Sequence, residues 1–460
     1  MKYIFALSCM FFAGPLFGQN EMQGGAVTLQ SQTHACLSSH DRSHIKTRLV
    51  ESRKHLQDKG RLPIRTGREA MMPQFELPLR KTAGLAFNSY YSIYNFVDHD
   101  PTVSGGQYGP TNLDYNCGNR SYDNADGYNH QGIDYVSWPF PWHLYEHNFV
   151  EVIAAESGTI IGKDDGQTDD RCTPDSTWNA VYLQHADGSE SWYGHLKNNS
   201  LTTKTVGQTV SKGEYLGVVA SSGLSNIPHL HFEVYDASNQ LIDPYAGACN
   251  SLNSNTSWWA NQPAYREPTL NTLLTHSAVP IHGCPTAGED PRFANVFSPG
   301  QTIFVATYYR DQLEDDVTTH RIRRPDNSVW YTWQHTAPET YNASFWWSSY
   351  NLPSSGPFGE WTFEATYRGQ TQSHTFQYLD LNCAGSGTNV WVGPVSGDWT
   401  GSNSYWSKED IPEPCHEVYI PAGHTVNVPA GATARCYTLE VEEGAILCVN
   451  PNAELQVQNP

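Results

Sequence analysis

The chain has 460 residues and a formal net charge of −20. That length exceeds one ordinary hydrophobic core, so several domains are expected. The acidic balance excludes a nucleic-acid binder and argues against simple electrostatic adhesion to an anionic cell wall.

Lys2 followed by the apolar run Tyr3 to Phe17 reads as a signal peptide, residues 1–19, with cleavage near Gly18 or Gln19. The run is too short to span a bilayer comfortably, and no stable membrane insertion is expected elsewhere. Export places the remaining cysteines in an oxidising compartment. Cys117–Cys172, Cys249–Cys284 and Cys415–Cys436 are the expected pairs, although spacing alone does not fix connectivity. Residues 20–82 hold 11 Lys/Arg against 6 Asp/Glu, whereas residues 83–460 hold 15 against 41. This basic leader, with a thin helical pattern from Ser43 to Lys59, reads either as disordered or as a propeptide. Cys36 within it could cap a metal, a role that any stray cysteine would equally suggest.

Residues 83–270 form the next unit. Phe149–Ala155, Thr159–Gly162, Ala180–His185 and Leu230–Tyr235 alternate as strands do, and Asp187-Gly188 marks a hairpin. The Trp/Phe-rich segment from Trp138 to Asn148 is expected as a loop on a groove rim. Residues 271–385 read as a β-sandwich (Ig-like), with a hairpin turning at Arg368-Gly369. Residues 386–460 carry short apolar runs about ten residues apart, which suggests a small β-rich module. The fold class is therefore mainly β throughout.

The chemistry lies in three segments of the second unit. His130-Gln131-Gly132-Ile133-Asp134 comes first, Tyr193-Gly194-His195-Leu196 second, and His229-Leu230-His231-Phe232-Glu233 third. His229 and His231 are two apart on a strand, so both face one side while Leu230 and Phe232 face the other. Three His/carboxylate ligands with two histidines to spare fit a catalytic zinc with an open position.

In this order, with Ala154–Gly158, His185–Gly188 and Asp243-Pro244 between and around them, these segments resemble the lysostaphin/LytM family of zinc endopeptidases, which cut bacterial cell-wall peptides. The resemblance covers about residues 110–247. It implies an antiparallel β fold with an open groove, one Zn2+ held by His130, Asp134 and His231, and catalytic roles for His195 and His229. A peptidoglycan stem peptide or cross-bridge is the implied substrate. A Gly-rich extracellular protein such as elastin is the alternative, and a non-catalytic wall-binding role is disfavoured by the complete ligand set. The chain departs from the family at Ser225-Asn226-Ile227-Pro228, which puts a bulky Ile at the groove edge.

Several other features call for bland readings. His143-Leu144-Tyr145-Glu146-His147 fits another zinc pattern that requires a helix, and prolines precede it. Asp164, Asp165, Asp169 and Asp170 lack EF-hand spacing. His185 reads as structural. The pairs Trp258-Trp259 and Trp346-Trp347 read as core before carbohydrate platform.

Overall fold

The computed structural model describes residues 22–26, 35–62, 72–103, 106–173, 177–253, 256–284, 288–379 and 387–457. The expected signal peptide lies outside the described residues. In chain order, the first elements are β1 (Gln23–Ala26), α1 (Ser39–Asp58), β2 (Leu79–Lys81), β3 (Tyr91–Asn95), β4 (Gly106–Gln107) and β5 (Tyr122–Asp123). There follow β6 (Ile133–Ser137), α2 (Pro141–Glu146), β7 (Val150–Ile153), β8 (Gly158–Asp164), β9 (Ala180–Gln184) and β10 (Glu190–Gly194). The unit ends with β11 (Thr209–Val210), β12 (Tyr215–Val218), β13 (His229–Tyr235) and β14 (Leu241–Ile242).

The main sheet runs β11-β8-β9-β10-β13-β6-β3, with β14 beside β13, and every pairing in it is antiparallel. A second sheet, β12-β7-β2, contributes to the same apolar core. Strand alternation puts Leu230, Phe232 and Val234 of β13 into that core with Val150, Val152, Val181, Leu183 and Tyr193. Phe75 also belongs to it: its N–H donates to the Trp258 carbonyl at 2.8 Å, and its ring packs on Trp258 and Trp259. Leu79 of β2 pairs with Val152. The domain boundary at residues 82/83 therefore cuts through packed structure, and the core of this unit takes in the chain from about Met72.

The leader is helical where its thin stripe suggested, beginning a turn earlier. Ser38 caps α1 by accepting the Asp41 N–H at 3.0 Å. Ile45, Leu49 and Leu56 are buried and share an apolar cluster with Ile161, Tyr182, Trp192 and Tyr235 of the main sheet. Gly162 makes room for this contact, since a Cβ there would lie 2.6 Å from Leu49 Cδ2. Ionic contacts supplement the weak apolar stripe. Arg42 grips Glu233 through two hydrogen bonds of 2.6 and 2.8 Å, Arg48 pairs with Asp164, and Arg53 pairs with Glu190. The charge reversal near residue 82 thus has a physical counterpart: leader cations meet acidic residues of β8, β10 and β13.

The segment from Trp138 to Asn148 is not a groove rim. It contains α2, and Trp138 and Phe140 are buried against Ala306, Tyr308 and Ala343 of the following domain. The Trp138 indole N–H donates to the Tyr309 carbonyl at 3.0 Å. Aromatic residues with that much surface are more stable covered than lining open water.

The next domain comprises β15 (Thr269–His276), β16 (Val296–Phe297), β17 (Thr302–Arg310), β18 (Val317–Arg323), β19 (Val329–Thr336), β20 (Ala343–Asn351), β21 (Gly359–Tyr367) and β22 (Gln370–Tyr378). Its sheets, β1-β20-β17-β15 and β16-β22-β21-β18-β19, share a core that includes Val305, Trp346, Trp361, Phe363 and Phe376. The β21–β22 hairpin turns at Arg368-Gly369 as expected, both at positive φ. Trp258, Trp259 and Trp346 are core residues.

The C-terminal module comprises β23 (Gly387–Val390), β24 (Ser396–Asp398), β25 (His416–Ile420), β26 (Thr425–Val428), β27 (Thr433–Cys436), β28 (Thr438–Val441), β29 (Ile446–Val449) and β30 (Glu454–Val457). All its ladders are parallel, and Glu417 pairs with Thr438, Thr425 with Ile446, and Thr433 with Glu454. Each partner is 21 residues further on, so the module is a coil of parallel strands. Its interior holds Trp391, Trp399, Trp406, Val418 and Val426.

Two expected disulfides are exchanged. Cys117 bonds Cys249, and Cys172 bonds Cys284. The second ties the unit that carries the main sheet to the segment leading into the sandwich. Cys436 is a free buried thiol, so its expected bond to Cys415 does not form.

Candidate metal centre

Three neighbouring strands of the main sheet bring the five site residues together. His231 on β13 lies opposite Asp134 on β6 and opposite Gly194 on β10, and His195 directly follows β10. Gly132 has to lack a side chain, because a Cβ there would lie 2.7 Å from the His231 ring. Gly194 likewise has the Trp178 ring 2.5 Å from where its Cβ would be.

Each imidazole is oriented by its second nitrogen. His130 Nδ1–H donates to the Phe96 carbonyl at 2.8 Å, which leaves Nε2 facing inward. His231 Nε2–H donates to Glu233 at 2.7 Å, which leaves Nδ1 facing inward. Glu233 is itself ionised: burial works against its charge, but Arg42 and His231 hold it far below the ordinary carboxyl range. His130 Nε2 is 3.1 Å from Asp134 Oδ2, His231 Nδ1 is 2.8 Å from Asp134 Oδ1, and the two nitrogens are 3.3 Å apart. Two imidazole nitrogens and a carboxylate face one another here, and the site favours positive charge among them: burial opposes it, but Asp134 outweighs burial and raises the His130 pKa to about 9. Ligand atoms around a tetrahedral zinc stand roughly 3.3 Å apart, given bonds of about 2.0–2.2 Å. The donor set fits that metal. The histidine–carboxylate pair on its far side is the usual support for such a ligand.

His195 Nδ1–H donates to the Ser222 carbonyl at 2.6 Å, and His229 Nδ1–H donates to the Ile227 carbonyl at 2.8 Å. Their rings are 4.5 Å apart, and each Nε2 is buried without a hydrogen-bond partner. The departing turn Ser225–Pro228 thus supplies the carbonyl that orients His229. Burial, reinforced by His229, lowers the His195 pKa, so its Nε2 lone pair is free at neutral pH. At Asp134, burial opposes the charge, but His130, His229 and two hydrogen bonds outweigh it and hold the carboxyl well below its ordinary range.

The centre is closed to solvent. All four histidines are 0% exposed and Asp134 is 1% exposed. The groove expected to be open is covered by the leader, whose Cys36 is itself 0% exposed. Ligand atoms of Cys36, His130, Asp134 and His231 all lie within 4.8 Å of one another, as do those of Cys36, His195, His229 and His231. Tyr122 Oη is 3.0 Å from Cys36 Sγ, and the Tyr122 ring packs on His130.

Other sequence candidates fall elsewhere. His185 bonds Ser157 and Ser191 through its two nitrogens and serves the fold. His143 and His147 are on or beside a helix after all, with rings 4.2 Å apart, but they join no metal-binding group among the described residues. Asp164 pairs with Arg48, Asp165 accepts from Asn199, and Asp169 accepts from Tyr145 and Asn198.

Sequence reasoning missed Asn95, which donates to Asp134 Oδ2 at 2.7 Å and is in turn fixed by Gln107. It also missed Trp178, whose ring meets His195 edge-on at 5.2 Å. Neither has a motif spacing. For Arg42, the charge reversal was the available signal.

Residues 129–244 match the model of peptidase family M23. The DD-carboxypeptidase/endopeptidase Mpg of Neisseria meningitidis serogroup B is 29% identical over 131 residues, which cover 26% of this chain and 29% of that protein. The cell division protein DipM of Caulobacter vibrioides is 41% identical over 56 residues, covering 12% of this chain and 9% of that protein. These matches span less than a third of the relatives' own length. Among solved structures, the catalytic domain of the antimicrobial peptidase lysostaphin from Staphylococcus simulans is 26% identical, covering 26% of this chain and 78% of that one, with a TM-score of 0.19.

Proposed function

The chain carries a domain of peptidase family M23, of the lysostaphin/LytM type, and we propose that it is an exported zinc endopeptidase hydrolysing peptide bonds in peptidoglycan cross-links. The observation that carries this reading is the convergence of His130 Nε2, Asp134 and His231 Nδ1, with the buried Nε2 atoms of His195 and His229, which make no hydrogen bond, beside them. In this reading, His130, Asp134 and His231 hold the zinc. A zinc ion in such a site supplies Lewis acidity toward a carbonyl and a nucleophile at neutral pH.

The chain's own groups do the rest. His229 Nε2 takes a proton from the attacking water and returns it to the leaving amine. The Ile227 carbonyl keeps the His229 tautomer correct throughout. His195 Nε2 starts with a free lone pair, so it would accept the second proton of the attacking water, hydrogen-bond the tetrahedral oxyanion with it, and release it toward the leaving amine. Trp178 holds its ring in place.

The Neisseria relative is a DD-carboxypeptidase/endopeptidase by name, which supports a peptide with D-residues, as in peptidoglycan, as the substrate class. Two disulfides fit an oxidising compartment, and no helix among the described residues is long and apolar enough to cross a membrane. The sandwich and the coil are read as attachment or spacing modules.

The test uses zinc-loaded protein whose leader has been removed by limited proteolysis. Peptidoglycans of several cross-link types are digested, and the released fragments are identified by mass spectrometry. Release of cross-link peptides with new amino termini is expected. Intact peptidoglycan in every case, with zinc bound, would overturn the substrate assignment.

A further inference from the structure

We infer that residues 36–62 hold the peptidase latent, with the Cys36 thiolate as a fourth ligand at the zinc site. This rests on the metallopeptidase reading above and adds its regulation.

The position of the sulfur is the first argument. Cys36 Sγ sits among the inward atoms of His130, Asp134 and His231 and also among those of His195, His229 and His231. It therefore lies between the ligand triad and the two spare histidines, where a substrate has to react. The spare histidines are an independent sign that this space is built for a ligand: both Nε2 atoms are fully buried and make no hydrogen bond, that of His229 standing 3.5 Å from Asp134 Oδ1. A catalytic zinc keeps one position open, whereas four protein ligands make a closed, structural type of site. Adding one thiolate to the two histidines and the aspartate closes the set. Cys36 binds as thiolate, and its proton leaves to solvent. Nothing is oxidised or reduced. The Tyr122 hydroxyl, 3.0 Å away, is placed to donate to the sulfur.

Docking of the following helix is the second argument. Leu37, Ile45, Leu49, Leu56 and Leu62 share an apolar cluster with the outward face of the main sheet. Arg42 holds Glu233, and Glu233 accepts from His231 Nε2. The leader thus grips the support of a metal ligand as well as the metal site. With it in place no site residue is exposed, and a peptide cannot enter. The basic leader and acidic body supply long-range attraction for this docking. Cys36 is also uncommitted, since it is one of the free thiols.

The test loads the full-length chain with Co2+ in place of Zn2+ and reads two quantities: metal per chain by mass spectrometry, and the near-ultraviolet absorption of a thiolate–cobalt bond. Wild type, Cys36→Ser and His130→Ala are compared. One equivalent with the thiolate band is expected for wild type, one equivalent without the band for Cys36→Ser, and loss of metal for His130→Ala. Full metal without a band in wild type, or a band persisting in Cys36→Ser, overturns the Cys36 ligand and leaves the metal reading intact. No bound metal in wild type, or metal indifferent to His130→Ala, overturns the metallopeptidase reading itself. Latency is read separately on the zinc-loaded chain with a short soluble peptide. Hydrolysis is expected to rise severalfold when limited proteolysis removes the leader, and an untreated chain that is already as fast overturns latency.

Discussion

The peptidase unit has two covers, and they are built from different chemistry. On one side α1 lies over the active face, held by a narrow apolar stripe and by arginines on Glu233, Glu190 and Asp164. On the other, the sandwich buries Trp138 and Phe140 and is tied on by the Cys172–Cys284 bond. An apolar, covalently fastened contact suits a permanent junction. An ionic contact with a thin stripe suits a segment that has to leave, because once exposed its charges are readily rehydrated. Strand β13 divides its side chains between its own domain and the removable cover: Leu230, Phe232 and Val234 enter the core of the peptidase unit, whereas Glu233 and Tyr235 meet α1.

The largest effects are expected where the removable cover meets the chemistry. In enzyme freed of its leader, His229→Ala and His195→Ala should each lower turnover by ~10²–10⁴-fold while zinc content stays at wild type. Steady-state hydrolysis of a peptide, with metal analysis alongside, checks this. Near-normal turnover in either variant removes that residue from the mechanism.

Breaking the permanent junction comes next. Trp138→Ala should cost about 3–5 kcal/mol of stability, read by denaturant unfolding, because a large buried side chain and its hydrogen bond are lost together. An effect below about 1 kcal/mol would show that the junction is not the packed core described.

Breaking the removable cover should show itself differently. Arg42→Ala strands a buried Glu233, a loss of about 3–5 kcal/mol concentrated in leader docking. Proteases should then clip the leader faster, while the peptidase core keeps its unfolding midpoint to a good approximation. Timed limited proteolysis beside denaturant unfolding distinguishes this from a general loss of stability, and an unchanged clipping rate would mean that Arg42 does not anchor the leader.

The smallest effect concerns support of the metal. Asn95→Ala removes the donor to Asp134 Oδ2 and should weaken zinc binding by about 10–100-fold. Competition with a chelator measures it, and unchanged affinity would show that Asp134 needs no such support.

Much of the site was legible because its constraints are local. A period of two puts His229 and His231 on one face, and Gly132 lies where the His231 ring leaves no room for a side chain. The remainder depends on distant parts of the chain. Cys36 is 94 positions before His130, and no spacing rule connects a leader cysteine to a site that only the folded sheet creates. The cysteine pairing failed for the same reason: Cys117 and Cys172 flank the motifs in sequence, yet the fold brings each to a partner more than a hundred residues on. The Trp138 segment was misplaced because a run of aromatics says that a surface is covered without saying by what. In the C-terminal module the turn residues did carry the period. Gly423 and Gly444, and Gly431 and Asn452, take positive φ at intervals of 21 residues, which marks successive turns of one coil where the apolar runs alone suggested a shorter spacing.

The most direct measurement of the central claim is zinc per chain in purified wild type, His231→Ala and Asp134→Ala. One zinc in wild type, strongly reduced in both variants while their folding is retained by circular dichroism, is the expected result. Equal zinc in all three proteins would contradict the assignment of the metal site and with it the proposed chemistry.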